Sequence, residues 1–148
     1  MYTDARIGGD RARMDILVLE DDRLLGEVLR DALTEAGHRV TLTHDNDTAI
    51  DRLATRPFGL LVADLMIGPD TSIPVLDFAR FLRPEAEIIL ITGSRLFPNG
   101  EMHFGIADIA YRLQKPLSVA DLTALAAHIE RTARKGSPPS QAALAGAG

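Results

Sequence analysis

The sequence contains no cysteine, which excludes disulfide bonds and thiolate metal sites. It also has no long hydrophobic run. Stretches such as ILVL and IILI are far too short to cross a membrane, and the polar N-terminus has no apolar segment of signal-peptide length. Basic residues are not in excess, since the formal net charge is −5, and no basic patch typical of nucleic-acid binding stands out. These absences favour a cytoplasmic protein that binds neither membranes nor nucleic acids.

The composition is that of a globular domain with irregular ends. Of the 148 residues, 46% are hydrophobic and 25% are charged, which is enough apolar material for one core. Residues 1–13 show no periodicity, and residues 136–148, GSPPSQAALAGAG, are rich in glycine, alanine, serine and proline. We therefore expect a flexible N-terminal arm over 1–13, one domain over 14–135 and a disordered tail over 136–148 that is too short for an output domain.

Short apolar or alternating segments, typical of β-strands, alternate with helical patterns along this body. The predicted strands cover 15–19, 39–43, 59–63, 87–92 and 110–114. Four helices are predicted: 23–36, 46–55, 74–82 and about 118–135. The second is expected to be capped by Asn46 or Asp47, and the third to begin at the turn with Pro74. Val28 of the first helix and Leu82 of the third are expected to face the core. Residues 64–72 are predicted to form a loop. The alternation predicts a doubly wound α/β fold around a parallel five-stranded sheet.

In such sheets ligands bind beyond the carboxyl ends of the strands. Carboxylates, a hydroxyl and an amine follow these ends: Glu20, Asp21 and Asp22, then Asp64, Thr92 and Lys115. Three carboxylates without imidazole or thiol suit a hard cation, magnesium above all. A lysine and a threonine beside them suit a phosphoryl group. Each element alone also has a structural explanation, as a helix cap, a turn or a strand end, but together they favour phosphoryl transfer onto a carboxylate.

The motifs ILVLEDD, LLVADLM, IILITG and LQKPLS, in this order and spacing, resemble the receiver domain of bacterial response regulators over residues 14–134. The resemblance implies a flavodoxin-like (βα)5 fold in which Asp64 accepts a phosphoryl group from a sensor histidine kinase or a histidine phosphotransfer protein. It also implies a magnesium site and a phosphoryl-binding pair. The implied magnesium ligands are Glu20, Asp21, Asp64 and the Met66 carbonyl, the implied pair is Thr92 and Lys115, and Asp22 remains a neighbour without a defined role.

Three features depart from the family pattern. Gly68 and Pro69 alter the loop after Asp64, and the apolar Met66 offers no group to orient a water, so we expect slow loss of the phosphoryl group. The fourth-helix region is irregular, because Pro98, Asn99 and Gly100 interrupt it and only about residues 101–106 suit a helix. Arg112 stands where the family has a switch aromatic, and it is either a charged switch or a surface arginine.

The sequence therefore predicts a single receiver domain that acts in two-component signal transduction or a phosphorelay, as a phosphoprotein rather than an enzyme. It would dock on an unidentified target protein, and a homodimer is left open. The alternatives are a receiver-like binding module that works without phosphorylation and a magnesium-dependent phosphohydrolase, against which Met66 counts because such enzymes often carry a second acid there. A flavin-binding fold is weaker, since three acids after the first strand repel a phosphate.

Overall fold

The computed structural model describes residues 14–93 and 108–135. Its parallel sheet contains five strands: β1 (Asp15–Leu19), β2 (Arg39–Thr43), β3 (Leu60–Asp64), β4 (Glu87–Thr92) and β5 (Tyr111–Gln114). Four helices follow in the described ranges: α1 (Arg23–Glu35), α2 (Asn46–Thr55), α3 (Ile73–Leu82) and α4 (Val119–Lys135). The strand order is β2-β1-β3-β4-β5. The predicted doubly wound α/β fold is confirmed. The calls on the N-terminal arm, the irregular fourth-helix region and the tail lie outside the described residues.

Two apolar layers sandwich the sheet because alternate residues of each strand point to opposite faces. One layer joins Leu17, Leu61 and Leu90 of the strands to α2 and α3 through residues such as Leu53 and Leu76. The other joins Ile16, Val62 and Ile89 to α1 and α4 through Leu29, Leu33, Leu122 and Ile129. Burial on both faces explains why the central strands are apolar throughout.

Local signals set the helix ends. The cap of α1 is Asp22, whose side chain accepts a hydrogen bond from the Leu25 backbone N–H, and the chain leaves α1 through Gly37 at φ +104°. The last helix begins after Ser118, whose hydroxyl oxygen accepts a hydrogen bond from the Asp121 backbone N–H at 3.1 Å. Among the helices of the described ranges, none has both the length and the apolar character that crossing a membrane requires.

Several sequence-based details were wrong. The N-cap of α2 is Asp45, not Asn46 or Asp47, because the Asp45 carboxylate accepts a hydrogen bond from the Thr48 N–H at 2.8 Å. Val28 and Leu82 are 42% and 40% exposed, since each lies at the margin of its apolar stripe rather than at its centre. The predicted loop after Asp64 contains two short antiparallel strands, Met66–Ile67 and Asp70–Thr71, joined by Gly68 and Pro69. This segment, residues 66–71, is called the β3–α3 hairpin below.

Candidate functional site

Polar residues from four neighbouring strands meet at the carboxyl edge of the sheet. Glu20 directly follows β1, Asp64 ends β3, Thr92 ends β4 and Lys115 directly follows β5. The strand order places these four strands side by side, so that Asp64 and Lys115, 51 positions apart in sequence, become neighbours. The same edge is where doubly wound sheets bind their ligands.

Asp64 is held by one side-chain donor and one backbone donor. The Lys115 ammonium donates a hydrogen bond to Asp64 Oδ2 at 2.6 Å, and the Met66 N–H donates to Oδ1 at 3.2 Å. Asp64 is 4% exposed, whereas the Lys115 side chain is 35% exposed, so the carboxylate lies almost out of water and the lysine reaches it from the surface. The Lys115 backbone N–H donates to the Thr92 carbonyl at 2.9 Å, which fixes the lysine beside β4, and the Lys115–Pro116 bond is cis.

The lysine charge is preserved by its surroundings. Partial burial works to lower the pKa of Lys115, but its hydrogen bond to Asp64 and the nearby charges of Asp64, Glu20 and Asp21 outweigh burial and raise that pKa. The ammonium lies 3.9 Å from Glu20 Oε1 as well. A permanent positive charge therefore stands between two nearly buried carboxyl groups.

Glu20 is the most deeply buried acid of the site, with no exposed surface. Its Oε2 accepts a hydrogen bond from the Asp22 N–H at 3.1 Å, whereas its Oε1 is buried and accepts none from residues 14–93 and 108–135. Burial raises the pKa of Glu20 to about 7; the Asp22 N–H opposes this rise, the charge of Asp64 adds to it, and Lys115 opposes it. A buried carboxylate oxygen without a donor is costly, and a cation is one partner that would satisfy it.

Asp21 completes a cluster of three carboxyl groups. One oxygen from each of Glu20, Asp21 and Asp64 lies within 4.8 Å of the others. Asp21 itself is exposed, and its Oδ2 accepts a hydrogen bond from the Gly68 N–H at 2.7 Å. Oxygen ligands at this spacing, together with the orphaned Oε1 of Glu20, fit a hard divalent cation such as magnesium.

Asp22, by contrast, does not belong to this cluster of carboxyl groups. Its carboxylate Oδ1 caps α1 by accepting a hydrogen bond from the Leu25 N–H at 3.1 Å. Of the three consecutive acids, two therefore join the carboxyl cluster and one stabilises the helix that follows. Sequence alone left the role of Asp22 open.

The remaining residues of the predicted site lie at or near the same edge. Met66 begins the β3–α3 hairpin and is half-buried, and Thr92 is half-buried at the end of β4. Arg112 is exposed on β5, while its neighbour Tyr111 packs on the opposite face, with its ring edge-on to His128 at 6.4 Å. The two side chains point to opposite faces because neighbouring residues of a strand alternate.

Sequence reasoning missed two residues that support the site. His44 Nδ1 lies 2.8 Å from the Glu20 carbonyl oxygen, and because a carbonyl only accepts, that nitrogen carries the proton and donates. Asn46 Nδ2 donates to the Thr71 carbonyl at 2.9 Å and ties the β3–α3 hairpin to α2. The signal that could have identified both residues is position, because His44 directly follows β2, Asn46 begins the next helix, and the carboxyl end of β2 lies at the same edge.

Curated relatives of this chain are response regulators. The chain is 35% identical over 78 residues to the response regulator receiver protein CpdR of Brucella abortus (strain 2308), a match that covers 53% of this chain and 65% of CpdR. It is 29% identical over 131 residues to the DNA-binding transcriptional regulator NtrC of Azospirillum brasilense, which covers 84% of this chain and 25% of NtrC. These matches span less than two thirds of either relative, and no protein-family model matches the chain.

Solved receiver domains share its fold. The receiver domain of the Francisella response regulator 1452 matches with a TM-score of 0.69 at 20% identity, over 80% of this chain and 98% of that one. A CheY-like response regulator receiver domain from Methylobacillus flagellatus matches with a TM-score of 0.66 at 17% identity, over 78% and 97% of the two chains. In sequence the chain is similar to response regulators, and its fold is that of their CheY-like receiver domains.

Proposed function

We propose that this chain is a phospho-accepting response regulator of two-component signal transduction or a phosphorelay, with Asp64 as the phosphoacceptor. The observation that carries the proposal is the hydrogen bond of 2.6 Å between Lys115 Nζ and Asp64 Oδ2, next to two further carboxyl groups, the buried one of Glu20 and the exposed one of Asp21. Perturbed, desolvated groups at a strand edge are typical of functional sites. A purely structural ion pair does not require the additional buried acid, Glu20.

The transfer is a displacement at phosphorus. A carboxylate oxygen of Asp64 forms the new O–P bond while the bond between phosphorus and the donor's leaving group breaks, and that leaving group keeps the electron pair and takes up a proton. Lys115 then hydrogen-bonds a phosphoryl oxygen instead of the free carboxylate, and the Thr92 hydroxyl donates to another. A magnesium ion held by Glu20, Asp21, Asp64 and the Met66 backbone carbonyl would offset the charge of the phosphoryl oxygens.

The proposed phosphodonor is a sensor histidine kinase or a histidine phosphotransfer protein, because the relatives belong to two-component systems. Phosphorylation adds negative charge to a buried edge of the sheet, and such a change biases any element with two nearly equal arrangements. Arg112 stands at the position where the family carries its switch residue. The proposed readout is a protein target that docks on the phosphorylated form.

The test is phosphoryl uptake from acetyl phosphate in the presence of magnesium, followed by intact mass. The native chain should gain one phosphoryl group, and Asp64→Asn should gain none. Asp22→Asn is the matched control, because it changes an acid of the same edge that caps α1 and should leave uptake unchanged. Loss of uptake in both variants would contradict the roles given to these residues.

One observation favours the alternative, a receiver-like binding module that works without phosphorylation. The Gly68 N–H of the β3–α3 hairpin already donates to Asp21 at 2.7 Å and so engages one oxygen of a proposed magnesium ligand. If this contact blocks the ion, magnesium will not raise the thermal stability of the chain and acetyl phosphate will not modify it. Unmodified mass with a control receiver phosphorylated in parallel would favour the binding module.

A further inference from the structure

A cavity of about 250 Å³ opens between the C-terminal ends of α2 and α3. It lies at the amino ends of β3 and β4, where Leu60 and Ile88 contribute to its wall. This is the edge of the sheet opposite to Asp64, so the cavity is separate from the proposed phosphoacceptor site. The volume is slightly below the range of typical small-ligand pockets and leaves room for a group of one or two rings.

The inner wall of the cavity is apolar. Its deepest members belong to the core, with Leu60 fully buried and Phe58, Leu61 and Ile88 no more than 5% exposed. Water in contact with such a wall finds few hydrogen-bond partners, so an apolar group that displaces it is favoured. The apolar wall therefore favours a ligand with a hydrophobic group that fills the cavity.

The rim of the cavity is cationic. Arg56, Arg80 and Arg83 line it, with side chains 43%, 32% and 37% exposed. Glu87 is the acidic residue among the described lining. Arginine presents a planar fork that binds a carboxylate with two parallel hydrogen bonds. Because the described lining contains three guanidinium groups and one carboxylate, it favours an anionic ligand.

The existing partners of these arginines leave them able to bind an anion. Arg80 and Arg83 pair with Asp108 and Glu85, whose side chains are 77% and 67% exposed, and exposed pairs of this kind exchange partners at little cost. The charge of Arg56 is less compensated, because within the described residues its ion pair is the contact of 4.0 Å with Asp15; its Nη2 also donates a hydrogen bond to the neutral Thr41 hydroxyl at 2.7 Å. Its guanidinium lies 5.1 Å from the centre of the Phe58 ring, which holds the charge at the mouth of the cavity.

We propose that this cavity binds a small aromatic carboxylate. The ring lies against the apolar wall formed around Phe58 and Ile88, and the carboxylate accepts hydrogen bonds from Arg56 and Arg83 at the rim. The site would give the domain a second input, at the edge of the sheet opposite to phosphorylation.

The test is a titration of the 15N-labelled chain with benzoate, phenylacetate and indole-3-acetate, each compared with its primary amide. At least one acid should shift the amide resonances of residues 53–58 and 79–88 saturably. It should bind at least about tenfold more tightly than its amide, because a hydrogen bond to a charged group is worth that factor. Shifts of comparable size around Asp64 are not expected.

Matched variants separate the rim from general electrostatics. Arg56→Gln should remove the preference for the acid. Arg52→Gln should preserve it, because Arg52 lies in the last turn of α2, one turn before Arg56, but is paired with Asp51 and does not line the cavity. Ala54→Phe places a ring in the mouth from an exposed position and should abolish binding. The amide spectrum of each variant reports whether its fold is intact.

Four outcomes would overturn the proposal. None of the three acids binds saturably, or the amides bind as well as the acids, or Arg52→Gln acts like Arg56→Gln, or Ala54→Phe leaves binding unchanged. A parallel titration with short peptides adds a fifth: if only peptides with an apolar side chain shift the same resonances, the cavity is a docking site for a partner protein and the small-ligand assignment is wrong.

Discussion

Replacing Glu20 by glutamine tests the charge balance of the site most sensitively. Glutamine has the same shape and keeps an oxygen to accept the hydrogen bond of the Asp22 N–H, but it carries no charge. Glu20 is fully buried, and its Oε1 accepts no hydrogen bond among the described residues. The variant therefore removes the cost of ionising a buried carboxyl group without creating a cavity.

The magnitude follows from the pKa of Glu20, which burial raises from 4.5 to about 7 in the folded chain. Between these values the unfolded chain releases its proton while the folded chain retains it. The free energy of unfolding therefore falls as the pH rises through this window and is constant above it. A rise of about 2.5 pKa units corresponds to about 3 kcal/mol of destabilisation once the pH exceeds 7.

The assay is urea unfolding in EDTA at pH 5 and pH 8. Glu20→Gln should be more stable than the native chain by about 3 kcal/mol at pH 8 and by about 1 kcal/mol at pH 5. The control is Glu27→Gln, an exposed position on α1, which should change stability little at either pH. The reasoning would be refuted if the difference in unfolding free energy between Glu20→Gln and the native chain were the same at both pH values. It would also be refuted if the native chain became more stable relative to the variant as the pH rises.

Three further substitutions each test one local feature: the cap of α1, the backbone of the β3–α3 hairpin and the side chain at position 66. Asp22→Ala should cost about 1 kcal/mol of stability in urea unfolding by removing the cap of α1 and still permit phosphoryl uptake; unchanged stability would contradict the cap. Gly68→Ala should cost about 1 kcal/mol in the same assay because φ is +60° there, although among the described residues no atom beyond the adjoining chain lies within 4 Å of the added carbon. Met66→Asn should speed the loss of the phosphoryl group several-fold in timed intact-mass measurements by orienting a water, and an unchanged lifetime would argue against a role for this side chain.

The positions of the strands along the chain were predictable because their signals are local. Runs such as EIILIT are apolar on both faces, which is what a strand buried between two helical layers requires. The rule that ligands bind at the carboxyl edge then brought Asp64 and Lys115 into one hypothesis, and the structure places their side chains 2.6 Å apart. The position of a residue at the end of a parallel strand is therefore the feature by which this sequence predicts contacts between distant residues.

Details that depend on tertiary contacts were not predictable. Three neighbouring acids, Glu20 to Asp22, look equivalent in the sequence, and only the path of α1 decides which one caps it. The β3–α3 hairpin is too short to show a strand pattern, and its turn is held by the hydrogen bond from Gly68 to Asp21, 47 residues away. Its second strand is held in turn by Asn46.

The measurement that tests the central claim most directly is the location of the phosphoryl group on the native chain. After incubation with acetyl phosphate and magnesium, borohydride reduces an aspartyl phosphate to homoserine, and peptide mass mapping identifies the converted residue. The account predicts homoserine at position 64 and nowhere else. Conversion of another aspartate, or none while a control receiver is converted, would contradict it.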